Sequence, residues 1–219
     1  MKYSVSIKMS GQELELLPQK AVFWINAQTL IVSDLHLGKA GHFRKSGIPA
    51  PSSINQKNIE RLDDLMQRYT PGRLLMLGDL FHSDANREWL EFEQFTDKWS
   101  FVEMLLIRGN HDSLHPSFYN AAGITGVDAL EESGFLFLHD ETQENFEKNG
   151  DETIILSGHI HPGIVLRGKG RQSLRLPCFA ASRSRILLPA FGEFTGLHMI
   201  KPKPGEQIYA VAEGRVLPL

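Results

Sequence analysis

Arg108-Gly109-Asn110-His111-Asp112 follows the apolar run Met104-Leu105-Leu106-Ile107, and that junction decides the fold. Four apolar residues bounded by polar ones read as a buried strand, so the pentapeptide lies on the loop where the strand emerges. Gly109 permits a sharp turn where a ligand or ion could approach the backbone. Asn110 offers a neutral oxygen ligand, and His111 a group that titrates near neutrality. Alone the stretch is weak, because Asn and His are common in turns. Its weight comes from four other polar clusters, each placed after its own apolar run.

On the N-terminal side, Thr29 to Ser33 leads into Asp34-Leu35-His36-Leu37-Gly38, and Arg73 to Leu77 leads into Gly78-Asp79-Leu80-Phe81-His82. On the C-terminal side, Phe135 to Leu138 delivers His139, and Thr153 to Leu156 is followed by Ser157-Gly158-His159-Ile160-His161-Pro162. Glu13 to Leu17 and Ala21 to Ile25 read as earlier strands broken at Pro18 and Asn26. Ser52 is expected to cap a helix reaching Tyr69, with Ile54, Ile59, Leu62, Leu65 and Met66 near helical spacing. A second helix, Asn86 to Trp99, places Trp89, Phe92, Phe95 and Trp99 on one core-facing side. Pro116 to Ala122 predicts a short third helix, and the polar Asp140 to Asp151 a surface loop or short helix. From Gly163 onward, Ile164 to Leu166, Ser173 to Leu176 and Gln207 to Val211 suggest hairpins. Strand–helix alternation followed by β-rich pieces implies an α/β fold: a sandwich of two sheets with helices outside. The polar loops would then gather at one rim.

Composition limits the classes that remain. The 219 residues suit one domain spanning 1–219. A net charge of -3 with a pI near 6.3 gives no overall positive field of the kind that marks many nucleic-acid binders. Bound divalent cations would change the local sign, so nucleic acid stays open. Cys178 is the one cysteine, which excludes a disulfide within the chain and reads as a buried small hydrophobe. Met1 to Leu17 lacks the apolar core of a signal peptide, and no run is long enough to span a membrane. A cytoplasmic protein with no membrane partner is the expectation.

The strand-end groups are Asp34, His36, Asp79, Asn110, His111, His139, His159 and His161. Asp34 and His36 are two apart, as are His159 and His161, so on an extended segment each pair would share one side. Nitrogen and oxygen donors without a thiolate suit Mn, Fe, Zn or a similar divalent ion and argue against a Cys-rich structural zinc site. Seven ligands are too many for one tetrahedral ion. They suit two ions about 3.5–4 Å apart that share a carboxylate, lower the pKa of a bridging water and clamp a phosphoryl oxygen. His111, the eighth group, could stabilise developing charge or protonate the departing oxygen.

In this order, D-x-H, G-D, G-N-H-D, a lone His after a strand and G-H-x-H resemble the calcineurin-type metallophosphoesterase superfamily over Ser33 to Pro162. The resemblance implies a four-layer α/β/β/α sandwich of two mixed sheets flanked by helices and a site with two divalent metal ions, Mn2+ foremost. Asp34, His36 and His161 would hold the first ion, Asp79 would bridge, and Asn110, His139 and His159 would hold the second. His111 would be the catalytic histidine.

A narrower resemblance rests on Ser33 to Lys39, Arg44 to Pro49, and Leu188-Pro189-Ala190-Phe191-Gly192-Glu193-Phe194-Thr195-Gly196. These are similar to the bacterial ligase-associated metallophosphoesterases, described as endonucleases and associated with an ATP-dependent DNA ligase, an exonuclease and a helicase in DNA repair. The third residue after the bridging Asp is His82, as in the superfamily's repair nucleases, where the protein-phosphatase branch carries an acid. DNA is therefore the expected substrate and His82 a second catalytic candidate. Arg44, Lys45 and Arg167 are candidate substrate contacts from two basic stretches: Lys39, Arg44 and Lys45, and the six cations Arg167, Lys169, Arg171, Arg175, Arg183 and Arg185. The alternative is a small-molecule phosphoesterase for cyclic nucleotides, nucleotide diphosphates or lipid headgroups. A scaffold without catalysis would lack some of the eight groups.

Overall fold

The register of neighbouring strands sets the height at which the polar loops begin. In the computed structural model, which describes residues 3–39, 54–82, 87–142, 153–170, 172–193 and 195–219, seven strands form the first sheet. They are β1 (Val5–Met9), β2 (Gln12–Leu17), β3 (Ala21–Trp24), β4 (Thr29–Ser33), β5 (Arg73–Leu77), β6 (Glu103–Ile107) and β7 (Ile124–Val127), in that spatial order. The first four run antiparallel to their neighbours, and β4 to β7 run parallel. Ser33 pairs with Leu77, and Leu77 with Ile107. The chain therefore leaves three adjacent strands at one level, delivering Asp34, Asp79 and Asn110 side by side.

The second sheet supplies the facing histidines. It contains β8 (Leu130–Glu132), β9 (Phe135–Phe137), β10 (Ile154–Ser157), β11 (Pro162–Arg167), β12 (Ser173–Ala181), β13 (Arg185–Leu187), β14 (His198–Met199), β15 (Gln207–Ala212) and β16 (Arg215–Pro218). Its parallel centre, β9–β10–β13, points toward the same rim and delivers His139 and His159. Both sheets are mixed.

Alternation along each strand builds two cores. Ile31, Leu75, Leu77 and Ile107 face the second sheet, where Phe135, Phe137, Leu156, Phe179 and Ile186 meet them. Leu30, Val32, Leu74, Met76 and Leu106 face outward, under α1 (Ile54–Tyr69) and α2 (Arg87–Lys98). Leu62, Leu65 and Met66 of α1 and Trp89, Phe92 and Phe95 of α2 are buried there, each apolar side chain contributing about 1.5–3 kcal/mol. The short α3 (Pro116–Ala121) lies beside β7. All three described helices pack on the first sheet. Trp99 closes the aromatic row of α2, and Cys178 is fully buried.

The strands β2 to β6 and both long helices lie where the hydrophobic pattern predicts them. The second sheet extends further than expected, because β13, β14 and β16 are too short to register as periodic, and β1, β7 and β8 also went unread. The proposed cap Ser52, Asn86 and most of Asp140 to Asp151 lie outside the described residues. No described helix is long and apolar enough to cross a membrane.

Candidate metal centre

Two clusters of ligand atoms form at the rim: Asp34, His36 and His161 in one, Asp79, His139 and His159 in the other. Asp79 joins them. Its Oδ2 lies 3.7 Å from His36 Nε2 and its Oδ1 lies 3.4 Å from His139 Nε2, so one carboxylate reaches both clusters. Asn110 Oδ1 enters the second, 3.1 Å from His139 Nε2. All seven residues expected to bind metal are thus brought together, three and three around Asp79.

Sequence spacing pairs Asp34 with His36 correctly but for the wrong reason, whereas His159 and His161, expected on one side, enter different clusters. Asp34, His36, Asp79, His159 and His161 all hold left-handed backbone, with φ of 53°, 49°, 51°, 67° and 53°. They do not alternate on an extended segment. Each such residue costs about 1 kcal/mol or more, and strain of this kind persists only where surrounding bonds over-determine it. Those bonds are present. Asp34 N donates to Gly78 O (3.2 Å), His36 N to Asp79 O (2.9 Å), and His159 N to the Asp34 carboxylate (3.0 Å). Two motif glycines leave room for them. A Cβ on Gly78 would stand 2.2 Å from His139 Nδ1, and one on Gly158 2.4 Å from Asp34 Oδ2.

The imidazoles are oriented by groups that can only accept. His161 Nδ1 lies 3.2 Å from Thr195 O and His139 Nδ1 lies 3.0 Å from Leu77 O, which assigns the proton to Nδ1 in each and the lone pair to Nε2. His159 presents Nδ1 inward and turns Nε2 toward Asp140 Oδ2 (3.6 Å), the carboxylate–histidine arrangement that supports metal ligation. Nitrogens converge in each cluster: His36 Nε2 on His161 Nε2 and His139 Nε2 on His159 Nδ1, both at 3.1 Å. Burial drives the His36 pKa far down, with Lys39 and the neighbouring histidines adding to the effect. Converging imidazole nitrogens beside the Asp34 and Asp79 carboxylates are the donors that divalent ions accept. The donor set therefore fits two divalent ions.

Asp112 ties the loops together. Its Oδ2 accepts from Gly109 N (2.8 Å) and Asp79 N (2.9 Å), and its Oδ1 from Leu80 N (2.8 Å) and Phe81 N (3.2 Å). Burial pushes its pKa up to about 6, against the four amides that favour the carboxylate. Asp79 Oδ1 in turn accepts from His111 N (3.0 Å).

A family model described as calcineurin-like phosphoesterase matches residues 27–145, more than half of the chain. The chain belongs to the calcineurin-like phosphoesterase family. As a member it is a metal-dependent phosphoester hydrolase. Among solved structures it is similar to the Pseudomonas putida nuclease MPE, with 33% identity over 99% of this chain and 100% of that one and a TM-score of 0.82. It also matches the E. coli phosphoesterase Yfce, with 15% identity over 86% of this chain and 96% of that one and a TM-score of 0.46. No curated protein gives a significant match.

His111, exposed at the rim, and His82 face each other beside the first cluster of this phosphoesterase. Their ring centroids are 4.1 Å apart, and those of His36 lie 6.0 Å and 5.6 Å from them respectively. The basic run divides. Arg167, Lys169, Arg175 and Arg183 are exposed, whereas Arg185 bonds Glu206 (2.8 Å) and Glu141 and is neutralised. Six cations without an acid in sequence are thus not six free cations in space. Arg167 ends β11, some five residues or roughly 16 Å of strand beyond Pro162. Arg44, Lys45 and Arg171 lie outside the described residues.

Sequence reading missed the roles of Asp112, Asp140 and the carbonyls of Leu77 and Thr195. Asp112 stood in the opening pentapeptide, but three of its four amide partners, 79 to 81, lie on another loop that spacing does not reveal. Backbone carbonyls leave no mark in a sequence.

Proposed function

We propose that this chain is a binuclear phosphodiesterase that cleaves DNA, with Mn2+ as the working ion and DNA repair as the setting. The carrying observation is the Asp79 carboxylate placed between two clusters of converging imidazole nitrogens. Asp34, His36 and His161 would hold one ion and Asn110, His139 and His159 the other, with Asp79 shared. When bound, the ions supply an activated water and positive charge facing the phosphoryl oxygens. His111 is exposed over the first cluster, where a scissile phosphate would lie, and is placed to hand a proton to the departing oxygen. His82 packs against its ring and limits how it can turn.

DNA as substrate is supported by the 33% identity to a nuclease over nearly the whole chain and by His82 in place of an acid. Arg167, with Arg44 and Lys45 in the same proposal, would contact phosphates flanking the scissile one. Association with an ATP-dependent DNA ligase, an exonuclease and a helicase is part of this reading and rests on the 33–49 and 188–196 stretches.

The test is a panel of single-stranded, nicked and duplex DNA beside bis-p-nitrophenyl phosphate, run with Mn2+. Cleavage of DNA is expected, and Asp79→Ala and His111→Ala should lower it by about 10²-fold or more. Hydrolysis of the small diester with every DNA form left intact would refute the nuclease reading and favour a small-molecule substrate.

A further inference from the structure

The stretch from Leu188 to Gly196 lies beyond the residues matched by the family model, and catalysis as described above does not use its side chains. It nevertheless underlies the first cluster. Phe191 N donates to Ser33 O (2.8 Å) and Gly192 N to Asp34 O (3.0 Å), so two successive amides brace the backbone that carries Asp34. Ser33 Oγ donates to Pro189 O (3.3 Å). Gly192 lies so close that a Cβ there would stand 2.4 Å from Leu35 O. Thr195 O then accepts from His161 Nδ1, which selects the tautomer that leaves Nε2 free to ligate. Toward the second cluster the stretch gives only Leu188 N to Ser157 O (2.8 Å), two residues before His159, and residues 189 to 195 give no described bond to Asp79, His139 or His159.

From 188 to 197 the described residues form neither strand nor helix, so ladder bonds do not hold Thr195 O in place. Side chains from elsewhere bond residues 191 to 193, just before it. Arg61, on α1, donates through Nη2 to Phe191 O and through Nη1 to Glu193 Oε1 (2.6 Å), and its guanidinium lies 4.4 Å over the Phe191 ring. Asn58, one turn earlier and 1% exposed, accepts from Glu193 N (3.1 Å) and from Arg61 Nη2 (3.3 Å). From the β2–β3 turn, Lys20 Nζ donates to Gly192 O (3.0 Å). Three residues from two distant elements thus converge on the three consecutive positions 191 to 193.

We propose that Arg61, with Asn58 and Lys20, forms a positioning clasp that sets the metal affinity of the Asp34–His36–His161 half of the centre by fixing residues 191–193, whose amides brace Asp34. The inference rests on the binuclear reading only for the number of ions. A partner that orients a metal-ligating histidine is typically worth 10–100-fold in metal affinity. Because the clasp braces only one cluster, its loss should unbalance the pair. The first site should weaken while the Asp79–Asn110–His139–His159 site keeps its affinity. Lysine cannot replace Arg61, because one ammonium cannot span Phe191 O, Glu193 and Asn58 together.

Purified metal-free protein and the Arg61→Met variant are titrated with Mn2+, and bound and spin-coupled ions are followed by electron paramagnetic resonance. The wild type should fill both sites together. In Arg61→Met one site should fall about 10–100-fold while the other stays within about twofold, so that a single-ion spectrum precedes the coupled one. In 15N-labelled metal-free protein, the slowly exchanging Nδ1–H of His161 should be present in the wild type and lost in the variant. If Arg61→Met does not fold, Lys20→Met, which removes one bond of the clasp, should shift the same site in the same direction by a smaller factor. Equal weakening of both sites, or unchanged affinities with the His161 proton intact, overturns the proposal. A wild type that binds one ion defeats the binuclear reading instead, and the His161 proton then decides the clasp alone.

Discussion

Replacing Asp112 by Asn changes one atom and tests whether the two loops of the first sheet are held by a single carboxylate. Each carboxylate oxygen accepts two backbone amides, Gly109 and Asp79 on Oδ2 and Leu80 and Phe81 on Oδ1. An Asn side chain keeps one oxygen and turns an NH2 group toward the other pair of amides, whichever way it rotates. Two amides lose their acceptor, and a buried unsatisfied donor costs about 1–3 kcal/mol. The sum is about 2–6 kcal/mol, a large share of the roughly 5–15 kcal/mol typical of a folded domain. For a chain of this length about 4 kcal/mol corresponds to a fall in Tm of roughly 8–16 °C. Relief of the buried charge, and to a smaller degree of repulsion with the Asp79 carboxylate, offsets part of this in the metal-free state. Guanidinium unfolding of the chelator-treated protein measures the difference at constant slope. A midpoint shift equivalent to less than about 1 kcal/mol would show that other contacts hold these loops, and the account of Asp112 would fail.

Mn2+ at 100 times its dissociation constant should stabilise the wild type by about 2.7 kcal/mol per site, seen as a rise in Tm that chelation reverses. Because Asp79 serves both clusters, Asp79→Ala should abolish most of that rise, whereas His159→Ala should leave the part due to the first cluster. Burial, aided by Arg61, lowers the Lys20 pKa from 10.5 to about 7. The unfolded chain therefore binds a proton that the folded chain lacks between about pH 7 and 10. Wild-type stability should climb through that window by no more than about 1.4 kcal/mol per pH unit, and Lys20→Met should lose the climb.

Sequence predicted the strands that matter because buried parallel strands are short apolar runs, and each of five such runs ends in a polar cluster. Arg73–Leu77 and Thr29–Ser33 needed no tertiary information. β1, by contrast, alternates as Val5-Ser6-Ile7-Lys8-Met9, half-buried at every other position, and carries a period-2 pattern that was legible and went unread. β14, two residues long, has no pattern to find. The residues of the two clusters were legible from their chemical types. Their conformations were not, since an Asp or His at positive φ looks the same in sequence as one in a strand. Pairing across the rim was equally hidden. That Asp34 should meet His161, 127 positions away, follows from β4 and β10 leading to the same rim of two facing sheets, and spacing along the chain does not encode that meeting.

The left-handed residues of the two clusters explain why the centre depends so heavily on bonds to the backbone of its loops. Five ligands at positive φ together cost about 5 kcal/mol or more, comparable to the whole net stability of many domains. Something must oppose it without occupying the site. The Asp112 carboxylate does so for the loops of the first sheet, and the amides of Phe191 and Gly192 do so for Asp34 from the opposite side. Both braces act on backbone, leaving every ligand side chain free to face inward. The centre is thereby arranged before an ion arrives, and the binding energy of the ions need not be spent on reshaping the loops. A chain relying on metal to impose those five conformations would instead bind Mn2+ weakly and order its rim on binding. Amide exchange at Asp79, Leu80 and Phe81 distinguishes the two cases, because pre-arranged loops should be protected before metal is added.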